Sequence, residues 1–312
     1  MAIFPWLRKI VVTLGPLEEY KGASGGSTVQ FVSDGTQNGL RAACNINKTV
    51  MGMPNPSTIS IYNLSQDTRR SIHKSLTKVT VEAGWLNTEM HKVFQGSVMS
   101  VVSERQGTEI VTKLSCLPGY GALVVSSVSV SYKQGVAVRE AVKDLGAKLP
   151  GVGVDDNNLK DIDGVFDQSG WSFAGGAKDA LTELAGEHGF SWTIDDGSLM
   201  AVGDKSKFDG LVALDGKQGG LILVSPTLQG PLQVRTGVKI KAIYVPGVKP
   251  GATVRVRSSI DESLDGDYRI HTANFNLDAY SEEFTMDLES FKFGSGAAIG
   301  ELPAGGSLFN GR

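Results

Sequence analysis

The sequence predicts a mainly β protein with an α+β insertion: two antiparallel β-barrel domains flanking a small helix-hairpin domain. Three observations carry this. Apolar residues alternate with period two in the first and last parts of the chain, and the middle switches to the 3.6-residue period of helices. The 39 glycines among 312 residues are scattered through turns, which suits many short strands joined tightly. The expected divisions are a first barrel over 1–116, the α+β insertion over 117–205, a second barrel over 206–293 and a C-terminal arm over 294–312.

In order along the chain, "LRAACNIN" places Leu40, Ala42, Cys44 and Ile46 on one face, a half-buried strand. Asn55-Pro56 closes a turn, because proline fixes φ and keeps the preceding residue out of helical space. Thr58 to Leu64 then reads as a strand, with Ile59 and Ile61 opposite Ser60 and Tyr62. Ser65 is placed to cap a helix whose first turn holds Asp67, with Ile72 and Leu76 at four-residue spacing. "KVTVEAGW", "HKVFQGSVMSVVSER" and "GTEIVTKLSCL" follow as strands, five or six in all for this region.

The period then changes. Val138, Ala141, Val142, Leu145 and Leu149 mark an amphipathic helix, and Ala177, Ala180, Leu181, Leu184 and His188 a second one that Gly189 ends. "FSWTIDDGSLMAV" is a hairpin turning at Asp196-Gly197. "LILVSP", "GVKIKAIYVP", "ATVRVRSS", "GDYRIHTANFNLD" and "SEEFTMDLESF" restore the strand pattern. The last stretch is glycine-rich and carries Ile299, Leu302, Leu308 and Phe309; it is either a frayed end or an arm that orders on a neighbour.

Composition excludes several classes. A hydrophobic share of 41% is too high for disorder, and a net charge of −3 argues against a protein built to grip nucleic acid. No apolar run approaches the roughly 20 residues needed to cross a bilayer, and Pro5 with Arg8-Lys9 breaks the start as a signal peptide. The expectation is a chain made in the cytoplasm, where Cys44 and Cys116 stay reduced.

A search for chemistry finds little. His73, His91, His188 and His271 fall in no metal-ligand spacing, and no nucleophile elbow or Walker loop occurs. "GASGG" at 22–26 leads into a strand-like run rather than a helix, so it reads as a loop and not as a phosphate cradle. Asp195-Asp196 read as turn residues and Asp155-Asp156 as a loop pair. No catalytic, cofactor-binding or metal-binding residue is expected. "KIK" at 239–241 and Arg255 and Arg257 put positive charge on strand faces, which is either a solvated surface or one that meets an acidic neighbour.

"NPSTISIYNLSQDTRRSI" resembles the opening corner of the baseplate hub proteins of tailed bacteriophages, a strand leading into a short helix. "GWSFAGGAKDALTELAGEHGFSWTIDDGSLMAV" looks like that family's middle segment. "VSPTLQGPLQVRTGVKIKAIYVPGVKPGATVRVRSS", followed by "LDGDYRIHTANFNLD", is similar to its second barrel. The order of these segments over roughly residues 40–292 makes the match specific. The same fold class includes late control proteins of contractile phages and the hub part of type VI secretion spikes. Unlike the latter, this chain shows no downstream OB-like domain or needle, so the spike is expected on a separate chain.

The resemblance implies a structural hub without enzymatic activity: a homotrimeric ring that adapts a sixfold tail tube to a threefold spike. It implies a virion location in the tail baseplate, after assembly in the host cytoplasm. Expected partners are further copies of the chain, the tail spike protein, the tail tube or distal tail protein and a tape-measure protein, with no membrane and no specific nucleic-acid binding. Tyr62, Leu64, Arg69 and Arg70 at the corner, Arg255 and Arg257, and Leu308 and Phe309 form the candidate assembly interface. The corner itself is equally well explained as barrel core. A carbohydrate- or receptor-binding tail module is the alternative function, though Trp85, Trp171 and Trp192 alternate with apolar neighbours instead of clustering in exposed positions. A cell-wall hydrolase is a weaker alternative, because its nucleophile or metal pattern is missing.

Overall fold

The computed structural model describes residues 7–15, 28–36, 39–50, 56–74, 78–85, 88–203, 210–217, 220–229 and 234–292. The "GASGG" loop, Leu76 and the segment 294–312 lie outside them. The first region contains β1 (Arg8–Gly15), β2 (Val29–Ser33), β3 (Ala42–Thr49), β4 (Ser57–Tyr62), α1 (Gln66–Lys74), β5 (Lys78–Trp85), β6 (His91–Gln106) and β7 (Glu109–Leu117). The middle contains α2 (Tyr120–Val125), β8 (Ser127–Tyr132), α3 (Val138–Ala147), β9 (Gly153–Lys160), β10 (Trp171–Gly176), α4 (Ala177–His188), β11 (Phe190–Asp195) and β12 (Ser198–Gly203). The last contains β13 (Leu211–Asp215), β14 (Leu221–Gln229), β15 (Val234–Ile243), β16 (Thr253–Arg257), β17 (Gly266–Asp278) and β18 (Phe284–Lys292).

The fold is mainly β with few helices, as the alternation predicts. Where two antiparallel barrels are expected, however, the described strands of the first and last regions form one open 13-stranded sheet, and its ladder does not show closure of either half. The two halves meet edge to edge where β3 pairs β17, from Ala43 opposite Asp278 to Thr49 opposite Thr272. Among the described strands of this sheet, β13 pairs β16 in parallel, from Leu211 opposite Thr253 to Asp215 opposite Arg257. The core is correspondingly shared. Ile10, Ile46, Ile59 and Leu114 from the first half lie in the same buried cluster as Val254, Tyr268, Phe275 and Phe284 from the second. Each such side chain contributes roughly 1.5–3 kcal/mol of burial.

The middle region keeps its own core. Val138, Ala141, Val142 and Leu145 of α3 pack with Ala177, Ala180, Leu181 and Leu184 of α4, over Trp192 and Ile194 of β11. Gly189 ends α4 at φ 65, the left-handed conformation that glycine adopts without a Cβ penalty. The β11–β12 hairpin turns through Asp196 and Gly197 at φ 50 and 82, the signature of a two-residue type I′ turn. Strand β11 is buried on both faces. Trp192 and Ile194 face the helices, which leaves Thr193 and Asp195 to face the large sheet, where they line a small cavity with Lys48 and Thr49 of β3.

Candidate assembly interface

Among the described residues, no three His, Cys, Asp or Glu side chains gather as a metal site, and no helix is long and apolar enough to cross a membrane. Cys44 and Cys116 are buried free thiols. Burial pushes both pKa values up, that of Cys116 to about 12, which keeps these thiols protonated and unreactive. Three of the cavities among the described residues have volumes of about 50, 10 and 20 Å³. Each is far smaller than the roughly 300–1,000 Å³ of a small-molecule site. Asp155 and Asp156 lie in strand β9 rather than in a loop, and Asp156 is 3.1 Å from Lys143 Nζ of α3.

The Tyr62 to Ser65 corner joins three strands. Asn63 sits at φ 57, and its backbone N–H and side-chain Oδ1 bond the carbonyl and N–H of Ile110 at the start of β7. Ser65 Oγ accepts from the Thr68 N–H at 3.1 Å, so the predicted cap is present. Arg41, just before β3, lies with its guanidinium 4.5 Å from the Tyr62 ring centre and donates through Nε and Nη2 to Asp278 Oδ2 at the end of β17. Asp278 is 5% exposed, and the hydrogen bond to it holds the Arg41 pKa above its ordinary value. The corner thereby fastens one end of the seam between the halves.

The other end of β3 carries a second cation. Lys48 Nζ lies 2.6 Å from Asp195 Oδ1 and 3.3 Å from Asp196 Oδ1, with all three side chains at most 16% exposed. Burial alone would pull the Lys48 pKa down, but the two carboxylates outweigh it and hold it above the usual value. Asp195 therefore does more than terminate the hairpin; it plugs the insertion into the seam. Between the two cations, the outward face is an amide ladder. Asn47 donates to Asn45, Asn45 to Asn276, and Asn276 to Asp287.

The residues singled out from sequence separate in the structure. Leu64 is buried in the shared core, Arg70 is exposed beside Asp67, and Arg69 is half-buried with its Nε unbonded among the described residues. Arg255 is met within the chain by Asp267 at 2.7 and 2.9 Å, and Arg257 is exposed on the same strand. Leu308 and Phe309 lie outside the described residues. Sequence reasoning passed over an exposed apolar edge. Ile222 and Leu223 of the outermost strand β14 are 51% and 56% exposed, near Ile243 of β15. The signal was present in "LILV", four consecutive apolar residues that one sheet face cannot accommodate.

The chain matches the family model described as Baseplate hub gp41 over residues 26–290. It belongs to the baseplate hub gp41 family. Membership gives it a structural role in the tail baseplate of a phage and makes it a component of the virion. No curated protein matches it. Among solved structures, it is similar to the prophage MuSo2 43 kDa tail protein from Shewanella oneidensis, with a TM-score of 0.61 at 12% identity. That alignment covers 92% of this chain and 98% of the other. A tail protein from Neisseria meningitidis MC58 gives 0.59 at 13% identity, covering 93% and 99%. An E. coli component of the type VI secretion system, described as structurally similar to the T4 bacteriophage tail proteins gp27 and gp5, gives 0.58 at 9%, covering 84% and 76%.

Proposed function

We propose that this chain is the baseplate hub itself, a homotrimeric ring that adapts a sixfold tail tube to a threefold spike. The observation that carries the reading is the β3–β17 seam, which sets two β modules side by side in one chain. Three chains then present six modules. Local contacts support a barrel for each module. Leu40 N–H reaches the Val32 carbonyl between β2 and the approach to β3, and Asp215 bridges Gly220 where β13 meets the start of β14. The ladder on the outer face of the seam, three amides ending on the Asp287 carboxylate and so without positive charge, suits the wall of a bore past which DNA slides, since a basic surface would hold it back. The domain divisions at 116, 205 and 293 follow this arrangement. Further partners on this reading are the spike, the tube or distal tail protein and the tape-measure protein, after assembly in the host cytoplasm.

The interface is assigned to Tyr62, Arg69, Arg70 and Arg257, joined by the exposed edge at Ile222 and Leu223. Leu64 supports the corner from within, and Arg255 contributes through its pair with Asp267. Light scattering on the purified chain, alone and with its tail partners, should give three times the mass of one chain in at least one of those states. A monomer in both would refute the trimer. The arm carrying Leu308 and Phe309 is assigned to a neighbouring chain, each side chain worth roughly 1.5–3 kcal/mol if fully buried. Deleting residues 300–312 should leave the sheet folded and reduce incorporation into tails. Unchanged incorporation would show that the arm has no such role. The carbohydrate-binding alternative gains no support, since Trp171 and Trp192 are 9% and 2% exposed.

A further inference from the structure

The Lys48 junction has an unbalanced charge. One ammonium faces two carboxylates in a space where Lys48 and Asp195 side chains are 6% and 7% exposed. Asp195 Oδ2 has no hydrogen-bond partner among the described residues, and Asp195 lines the cavity of about 10 Å³ with Asn47, Thr49 and Thr193. Among the described residues, the other charged or titratable groups nearby offset the imbalance only in part, the Lys249 ammonium favouring the ionised form of Asp196. Lys249, in the loop before β16, and Lys92 of β6 line the neighbouring cavity with Asp196, but both are solvent-exposed, and Lys92 is bonded to Gln95 Oε1 at 2.9 Å. Tyr244 is buried there, and its hydroxyl donates to the Ala83 carbonyl, so it stays neutral.

We propose that the insertion seats with one bound proton, held on Asp196, so that the Lys48–Asp195–Asp196 cluster is electrically neutral. A lone buried charge is far costlier than a neutral pair, and a proton is the smallest compensating group that this space admits. The geometry assigns the proton to Asp196 because Asp195 makes the shorter contact with the ammonium, 2.6 against 3.3 Å. The direction of the Asp196 pKa agrees: burial outweighs the opposing Lys48 and Lys249 charges and, with the neighbouring Asp195 charge adding to it, raises it above 3.8. The seated state thus binds a proton that the released hairpin gives up. Seating is favoured on the acid side of the raised pKa and loosens as pH rises through it.

The test uses the full chain with carboxyl-¹³C aspartate, titrated by NMR from pH 4 to 9, with Asp196→Asn to assign the resonance. Hydrogen exchange of the β11–β12 amides, corrected for intrinsic rates, gives the hairpin opening constant in parallel. Asp196 is expected to titrate above 3.8, and the opening constant to rise with pH by about tenfold for each unit of that elevation. Asp196→Asn, which keeps the shape and removes the charge, should flatten the profile and leave the hairpin more protected than wild type at pH 8. The proposal is overturned if Asp196 titrates at or below 3.8. It is equally overturned if Asp196→Asn keeps the wild-type slope while Asp195→Asn abolishes it. The NMR titration of the wild-type chain decides the matter even if a variant folds poorly.

Discussion

Replacing Lys48 by methionine is expected to destabilise the folded chain by about 3–5 kcal/mol, because it strands the buried Asp195 carboxylate without its counter-ion, next to Asp196. The loss should appear in urea denaturation at neutral pH and should be largest for amides of β3 and the β11–β12 hairpin. A triple change that also converts Asp195 and Asp196 to asparagine removes every charge of the cluster and should recover most of the stability. On the alkaline side, beyond the titration of Asp196, a second pH dependence follows from the raised Lys48 pKa. Its contribution is fully present below 10.5 and is lost as pH rises through the folded-state value above that. A Lys48→Met loss below about 1 kcal/mol would mean that water reaches the junction and screens it.

Trp192→Ala should cost a comparable amount, about 3–5 kcal/mol, but in a different place. Trp192 is 2% exposed and belongs to the buried cluster of α3 and α4, whereas the large sheet is filled by other side chains. Exchange of the α3, α4 and β11 amides should therefore accelerate by about 10² to 10³ or more, at roughly tenfold per 1.4 kcal/mol. Amides of β3, β17 and β18 should stay near wild-type rates. Uniform acceleration over the whole chain would show that the insertion and the sheet unfold as one unit.

The parts legible in the sequence are those specified by local pattern. Ala42, Cys44 and Ile46 point inward as their alternation requires, and Asn63, Ser65 and Asp196-Gly197 form the corner, cap and turn that their side chains favour. What escaped depends on contacts between distant segments. Nothing near Asn45 or Phe275 in sequence announces that β3 and β17 share a ladder, because that register is set by the packing of the whole core. Asp195 looked like a turn residue. Only the tertiary fold brings it to Lys48, while the next two residues make the turn. Strand β9, "GVDDNNLK", is too polar to stand out, and it is held by one parallel partner. On β14 a bulge between Leu221 and Leu223 shifts the alternation, so that Ile222 and Leu223 both face outward. The charge of Arg255 was legible, but its partner Asp267 on the neighbouring strand was not.

The most direct test of the hub assignment is the symmetry of this chain in intact tails, measured by cryo-electron microscopy of the tail tip. A hub of this kind should show three copies around the tail axis, each contributing to a six-module ring the two β modules that its β3–β17 seam joins. Six copies in a ring, or a single copy off the axis, would contradict it.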